Sequence, residues 1–379
     1  MAQSDEVRFM RRAFVLAERG LNNTASNPRV GCVLVKDNEI VGEGFHEAYG
    51  SEHAEVVALR NARGKAKGSM MYVTLEPCCF KGKTQACTHE IINAGVKVVV
   101  AACKDPNPKV FGKGFEELKK NGITVRIIDM EKDCFELNPG FFKRMKSDLP
   151  WVRVKVAMSL DGYIALGSGE SKWITGKIAR EDGHRWRARS CCLLTGSRTV
   201  VNDDPEFTAR VSGEDVLQPE KVIIDPRLIV SKKAKIFASG KVILATLLKN
   251  DKLIKEKVMD YRQKGVHVIE LKPKSSQSTQ FYFKHLLGAL SKRGFNEILV
   301  EGGPSLVSSL MTENLVDEFL IYKSSKILGA GVSFVQLNTA KDALTNERQW
   351  VFKSVNRVGE DVFMSLRKKN NSFYGLANV

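Results

Sequence analysis

SEHAEVVALRNARGKAKGSMMYVTLEPCCFKGKTQAC, residues 51–87, sets out a helix, a strand and a cysteine-bearing loop in that order. Ser51 offers an N-cap for a helix running to about Arg63, with Gly64 as its stop signal. MMYVTL (70–75) reads as a strand, and THEIINAG (88–95) as a helix ending in Gly95. Upstream, Val7, Met10, Phe14 and Ala17 fall at helical spacing over residues 5–19, and Gly20 follows. GCVLV (31–35) reads as a buried strand, with EIVGEGF (39–45) as its hairpin partner across Lys36-Asp37-Asn38. Downstream come a strand in VKVVVAA (96–102), a helix in FEELKKNG (115–122) and a strand in ITVRII (123–128). Strand and helix alternate from residue 70 onward, which predicts an α/β layered domain with partly parallel pairing.

NPGFFKRMKSDLP (138–150) interrupts that rhythm with prolines, a glycine and charge, and a domain boundary is expected there. A first domain over 1–147 and a second over 150–369 follow, with 370–379 as a frayed polar tail. The second domain repeats the strand-helix series: WVRVKVAM, a helix in KIAREDGHRWRAR, CCLLTG, KVIID, KVILATLL, VHVIEL, a helix within 280–292, EILVEGG and FLIYKSSKIL. QWVFKSVNRVGEDVFMSL alternates around a turn like a β-hairpin, and KPKSSQSTQ (272–280) reads as a surface loop.

At 379 residues, 43% hydrophobic and 27% charged, the chain has globular composition and room for two cores. No apolar run reaches the ~18 residues of a membrane span. The N-terminus mixes charge with apolar residues unlike a secretory signal, so the expectation is a cytoplasmic protein with no membrane partner. Cysteines at 32, 78, 79, 87, 103, 134, 191 and 192 read as core residues or metal ligands rather than a disulfide framework. The net charge of +16 favours anionic partners, whether nucleic acid, phosphorylated metabolites or phosphate-bearing cofactors.

His53-Ala54-Glu55 at a helix start, followed by Pro77-Cys78 and by Cys87, is the sharpest chemical signal. Hydrolytic removal of an aromatic amine needs a hydroxide at neutral pH, and zinc provides one by lowering the pKa of bound water to about 7. One imidazole and two thiolates leave a tetrahedral ion one open position. A neighbouring carboxylate must move a proton from water to the leaving amine, and Glu55 is the candidate in this H-x-E…P-C pattern. A structural zinc site with Cys79 as fourth ligand is the competing reading, but Cys79 is expected to be a core residue.

With these motifs the chain resembles the bifunctional riboflavin-biosynthesis deaminase/reductase family over about residues 5–369. NPRVGCVLV (27–35), GEGFHEAYGSEHAEVVAL (42–59), TLEPCCFKGKTQAC (74–87) and DPNPKVFGKG (105–114) carry the likeness in the first half. The resemblance implies a cytidine-deaminase-like α/β/α domain, with zinc on His53, Cys78 and Cys87 and Glu55 as proton shuttle. It also implies substrate contacts at Asn27 and His46. Cys79-Phe80 and Gln85-Ala86 depart from the family pattern and bear on the loop over the substrate.

KVAMSLDGYIA (155–165), SKWITG (171–176), HRWRARSCCLLTGSRTVVNDDPEFTAR (184–210), ILVEGGPSL (298–306) and LVDE (315–318) match the family's reductase half. That half implies a dihydrofolate-reductase-like α/β domain using NADPH. Its cofactor contacts fall on Ala157, Trp173, Thr199, Asp203, Gly303, Pro304, Ser305 and Leu306. Its substrate contacts fall on Ser171, Arg187, Phe207, Arg210 and Glu301. Chemically, Arg187 and Arg210 suit a sugar phosphate, and Glu301 suits sugar hydroxyls. The Gly-Gly turn opening a helix at Pro304 suits a phosphate but is not a G-x-G-x-x-G fingerprint.

The expected activity is therefore deamination of a phosphorylated pyrimidine small molecule followed by NADPH-dependent reduction of its ribosyl chain, by a homo-oligomer. Two alternatives stay open. A nucleic-acid base deaminase would use the positive charge, but such enzymes keep their ligand cysteines two residues apart, and eight intervene here. A non-catalytic, zinc-stabilised binding module is the other, and NADPH consumption separates it from an enzyme.

Overall fold

The computed structural model describes residues 3–369 apart from 25, 83–84, 276–277, 279 and 338–349; the tail 370–379 and Thr84 therefore lie outside the described residues. The chain divides into two units, Met1–Asp148 and Leu149–Val379.

In the first unit the elements run α1 (Gln3–Glu18), β1 (Gly31–Lys36), β2 (Glu39–Phe45), α2 (Ala54–Asn61), β3 (Met70–Val73), α3 (Cys87–Asn93), β4 (Val98–Ala101), α4 (Lys113–Lys120), β5 (Thr124–Ile127), α5 (Glu131–Leu137) and α6 (Pro139–Ser147). The sheet order is β2-β1-β3-β4-β5, antiparallel from β2 to β3 and parallel from β3 to β5. The β1–β2 hairpin turns on Asp37 and Asn38, both at positive φ, the geometry that matches strand twist in a two-residue loop. Cys32 and Leu34 of β1 face a core built with Ala54, Ala58, Ile91, Val99, Phe115 and Leu118. Val33 and Val35 point the other way and are equally buried, which is why β1 reads as a continuous apolar run.

Glycine lets α2 lie directly on β2. A Cβ on Gly42 would sit 2.4 Å from the Ala58 carbonyl oxygen, and one on Gly44 2.4 Å from that of Ala54. The stretch expected to break the rhythm is instead helical: Pro139 occupies the first turn of α6, where its missing N–H costs nothing. Asn138, between α5 and α6, accepts from the Arg29 amide (2.8 Å) and donates to the Arg29 carbonyl (2.9 Å).

The second unit runs β6 (Trp151–Met158), β7 (Tyr163–Leu166), α7 (Lys177–Arg189), β8 (Cys192–Gly196), α8 (Ser197–Asp203), β9 (Glu220–Ile224), β10 (Val242–Leu247), α9 (Lys252–Gln263), β11 (His267–Leu271), α10 (Phe283–Lys292), β12 (Glu297–Val300), α11 (Pro304–Thr312), β13 (Glu318–Lys323), β14 (Gly331–Ser333), β15 (Trp350–Val358) and β16 (Asp361–Lys368). Its main sheet has the order β11-β10-β9-β8-β12-β6-β13-β16-β15, parallel from β11 through β13, with an antiparallel β13-β16-β15 flank. The carboxyl ends of the parallel strands lie side by side, the usual location of ligand sites in open α/β sheets. At their amino ends Arg153 is fully buried against Glu297 and Glu318. No helix among the described residues is long and apolar enough to cross a membrane.

Candidate functional sites

Three donors converge in the first unit: an imidazole nitrogen of His53 and the sulfurs of Cys78 and Cys87 all lie within 4.8 Å of one another. His53 Nδ1 stands 3.2 Å from Cys87 Sγ and 3.5 Å from Cys78 Sγ. Each arrives from a different element. His53 is the N-cap of α2, Cys78 follows β3 after Pro77, and Cys87 opens α3, donating its amide to Cys78 Sγ at 3.4 Å.

Ser51, expected as the cap of α2, closes a turn instead: its Oγ donates to the Ala48 carbonyl (2.7 Å) and accepts from the Ala48 amide (3.1 Å). The helix begins later because the Glu52 carbonyl is taken by His46 Nδ1 at 3.0 Å. Since a carbonyl only accepts, Nδ1 carries the His46 proton, and Nε2 accepts from the Asn27 side-chain amide at 3.0 Å. Asn27 and His46 are thus brought together, with the His46 ring 5.4 Å from that of His53. Burial lowers the His46 pKa and keeps the ring neutral.

Glu55, in the first turn of α2, is buried. Burial raises its pKa, and its carboxyl shares a hydrogen bond with the Cys87 thiol. It is therefore a carboxyl that holds a proton more readily than usual, beside the two sulfurs. A hydrogen bond from Cys87 brings the Cys78 thiol down to about 4, and the Cys78 hydrogen bond brings His53 up to about 9. That donor set of one nitrogen and two sulfurs, with a proton-holding carboxyl at its side, fits a zinc ion with one position left open.

Cys79 is not in the cluster. Its Sγ points to the Lys109 carbonyl at 3.8 Å, and the side chain is partly exposed rather than in the core as expected. Consecutive residues in an extended segment send their side chains to opposite sides, so only one of the pair turns toward His53.

Sequence reasoning passed over Glu76 and Asp105. Buried Glu76 accepts from the amides of Asp105 (3.2 Å), Gly112 (3.0 Å) and Phe115 (3.2 Å), and so ties residues 105–115 to the strand end that carries Cys78. Asp105 is itself buried, which pushes it up to about 7. Its signal in the sequence was an acid immediately before Pro-Asn-Pro, a loop with an otherwise unexplained carboxylate.

In the second unit a cleft of about 1340 Å³ opens over the ends of β6, β8, β9 and β12. It is larger than the ~300–1,000 Å³ of ordinary small-molecule sites, enough for a dinucleotide and a second ligand together. Every reductase residue singled out from the sequence lines it: Ala157, Ser171, Trp173, Arg187, Thr199, Asp203, Phe207, Arg210, Glu301, Gly303, Pro304, Ser305 and Leu306. Gly303 is the N-cap of α11, and Pro304, Ser305 and Leu306 form its first turn.

Arg187 departs from expectation. Its guanidinium is spent on Glu301, with Nε 2.6 Å and Nη2 3.0 Å from the two carboxylate oxygens, and it also lies over the Phe207 ring. Lys155 Nζ, from β6, completes the cluster at 3.2 Å from Glu301 Oε2. Burial alone would push the Glu301 carboxyl up; Arg187 and Lys155 overcome it and hold the group ionised far below the usual range. Arg187 therefore orients Glu301 rather than offering a free fork to phosphate.

Arg210 is exposed. Its side chain reaches Thr208 Oγ1 (2.7 Å) and Glu206 (3.4 Å), and its amide donates to His184 Nδ1 (3.2 Å). Burial, with Arg187 and Arg210 nearby, takes His184 down to about 4, so the ring is neutral. Lys155 was detectable as one of two charges, with Arg153, in the otherwise apolar strand WVRVKVAM; His184 had only its helical spacing from Arg187.

Fold and sites together define a zinc-deaminase unit joined to a reductase-type α/β unit. Residues 3–103 match the cytidine and deoxycytidylate deaminase zinc-binding region, and residues 150–364 match the RibD C-terminal domain. The riboflavin biosynthesis protein RibD of Escherichia coli is 39% identical over 370 residues, covering 94% of this chain and 98% of that protein. The solved structure of Acinetobacter baumannii RibD is 38% identical with a TM-score of 0.87, covering 97% and 99% of the two chains. A Thermotoga maritima structure described as a diaminohydroxyphosphoribosylaminopyrimidine deaminase/5-amino-6-(5-phosphoribosylamino)uracil reductase is 31% identical with a TM-score of 0.82, covering 96% and 99%. The chain belongs to the RibD family of riboflavin-biosynthesis enzymes.

Proposed function

We propose that the chain performs two consecutive reactions on one intermediate. The first unit hydrolytically deaminates 2,5-diamino-6-ribosylamino-4(3H)-pyrimidinone 5′-phosphate, and the second reduces the ribosyl side chain to ribityl at the expense of NADPH. The observation that carries the first step is the His53–Cys78–Cys87 cluster with buried Glu55 beside it.

Zinc in that cluster supplies a water-derived nucleophile at neutral pH, and NADPH in the cleft supplies a hydride. Glu55 takes a proton from the attacking water and delivers it to the leaving amine, so that C–NH₂ becomes C=O and ammonia departs. Its raised pKa suits both halves of that transfer. Asn27 and neutral His46 hold the ring.

In the second unit Glu301, fixed by Arg187 and Lys155, accepts from the sugar hydroxyls, while Arg210 takes the 5′-phosphate. Ser171 and Phe207 complete that substrate pocket. Ala157, Trp173, Thr199, Asp203 and the Gly303–Leu306 turn hold the nucleotide. The protein's contribution here is positioning and charge rather than covalent chemistry.

The enzyme works in the cytoplasm as a homo-oligomer and takes a small molecule rather than nucleic acid. Support for self-association comes from β15, the terminal strand of its sheet among the described residues, which exposes Val351, Phe352 and Val355.

Glu55→Ala should cut ammonia release by at least ~10²-fold while zinc stays bound, and Arg210→Ala should raise KM for the reductase step alone. Loss of one and the same activity in both variants would refute the division of labour.

A further inference from the structure

Most basic side chains of the reductase cleft already have partners. Lys155 and Arg187 hold Glu301, Arg210 contacts Glu206, and Lys235 pairs with Asp204. Arg180 donates to the Thr175 carbonyl and lies over the Trp173 ring. Arg198 and Arg227 differ: both line the cleft, both are exposed, and neither has a hydrogen-bond or ion-pair partner among the described residues.

The sheet register places them together. β8 and β9 are adjacent and parallel, with Gly196 opposite Ile224. Arg198 lies two residues beyond the end of β8 and Arg227 three beyond the end of β9. Arg227 rides on a pinned turn: the Leu228 amide donates to the Asp225 carbonyl at 3.3 Å, and the Val230 amide to Asp225 Oδ2 at 2.9 Å.

The other landmarks of the cleft fix its direction. Glu301 and Ala157 stand at the ends of β12 and β6, and the Gly303–Leu306 turn follows β12. From β6 through β12 and β8 to β9 is three strand spacings, about 14 Å. A dinucleotide whose reactive ring is at β6 and whose pyrophosphate is at the β12 turn carries its adenosine toward β8 and β9. Lys172 is also without a partner, but Lys326, beyond β13, donates to the carbonyl of neighbouring Trp173 and places it at the opposite end.

We propose that Arg198 and Arg227 bind the 2′-phosphate of the nucleotide and so select NADPH over NADH. The inference rests on the reading of this cleft as an NADPH site. Two planar guanidinium groups suit a phosphate monoester dianion, and the hydroxyl of NADH offers them no counter-charge.

Binding is measured on the full chain by titration with NADPH and NADH, and with the fragments 2′-AMP and 5′-AMP, for wild type, Arg198→Gln, Arg227→Gln and Lys172→Gln. Each arginine variant should weaken NADPH and 2′-AMP by about 10- to 100-fold, the range for charge-assisted contacts, and NADH and 5′-AMP by less than about twofold. Lys172→Gln should leave the NADPH/NADH ratio unchanged. The wild-type ratio should also fall as salt rises, a reading independent of any variant.

If wild type binds NADPH no tighter than NADH, or if the arginine variants weaken both nucleotides equally, the assignment is overturned while the cleft remains a nucleotide site. If wild type binds neither nucleotide, the reading of the cleft itself fails and the assignment falls with it.

Discussion

Replacing Gly44 by alanine tests how the sheet positions the deaminase centre. A Cβ there would fall 2.4 Å from the Ala54 carbonyl oxygen, 2.5 Å from the Ala58 amide and 2.9 Å from Val57 Cβ. Two of those three atoms are helix backbone and cannot rotate away. Ordinary Cβ contact begins at 3.4 Å, so α2 has to retreat by about 1 Å, a displacement that at a reacting centre costs ~10²-fold in rate. The overpacking itself should cost about 1–3 kcal/mol. Because α2 carries His53 and Glu55 while Cys78 and Cys87 sit on other elements, the retreat pulls the donor set apart. Ammonia release should drop by about two orders of magnitude with weaker zinc retention, while NADPH oxidation with the deaminated substrate stays at the wild-type rate. Near-normal deamination with zinc fully bound would show that the close approach of α2 to β2 does not set the site.

Three further outcomes follow from named contacts. Cys79→Ser should keep both zinc and ammonia release, since that sulfur faces the Lys109 carbonyl; metal loss on atomic-absorption analysis would contradict its placement. Arg187→Met removes the bidentate partner of Glu301, so the carboxyl rises from its depressed value and the acid limb of the reductase pH profile should move to higher pH; an unmoved limb would refute that pairing. Glu318 is buried, which alone would raise it, but Arg153 and Arg367 with hydrogen bonds from Ser365 and Trp151 bring it down to about 2. Its folded pKa lies below the ordinary 4.5, so its stabilisation is complete above that pH and drains away as pH falls toward 2. Glu318→Gln should cost about 3 kcal/mol at neutral pH by leaving a buried guanidinium short of charge, and should flatten the acid limb of a denaturation series. A variant as stable as wild type across that range would count against the pairing.

The sequence made the architecture legible wherever apolar periodicity and glycine agreed. GCVLV and EIVGEGF around Asp37-Asn38 announce a hairpin, because alternation and turn chemistry point the same way. The helix over 139–147 escaped because proline and glycine were read as breakers, whereas proline in a first turn is compatible with a helix. The metal-type cluster was visible because its chemistry demands rare residues in fixed order. The start of α2 was not, because a tertiary bond from His46 to the Glu52 carbonyl overrides Ser51 as a cap. Arg187 shows the same limit: a cationic residue in a cleft looks free for phosphate until its carboxylate partner, 114 residues away in sequence, is seen beside it.

Zinc K-edge absorption on the purified full chain addresses the deaminase centre most directly. One zinc per chain should appear, with two sulfurs at ~2.3 Å, one nitrogen at ~2.0 Å and one oxygen at ~2.0 Å from a non-protein ligand. A third sulfur in place of the oxygen would make the site structural and closed, and a well-folded chain that neither holds zinc nor releases ammonia once zinc is supplied would contradict the catalytic reading outright.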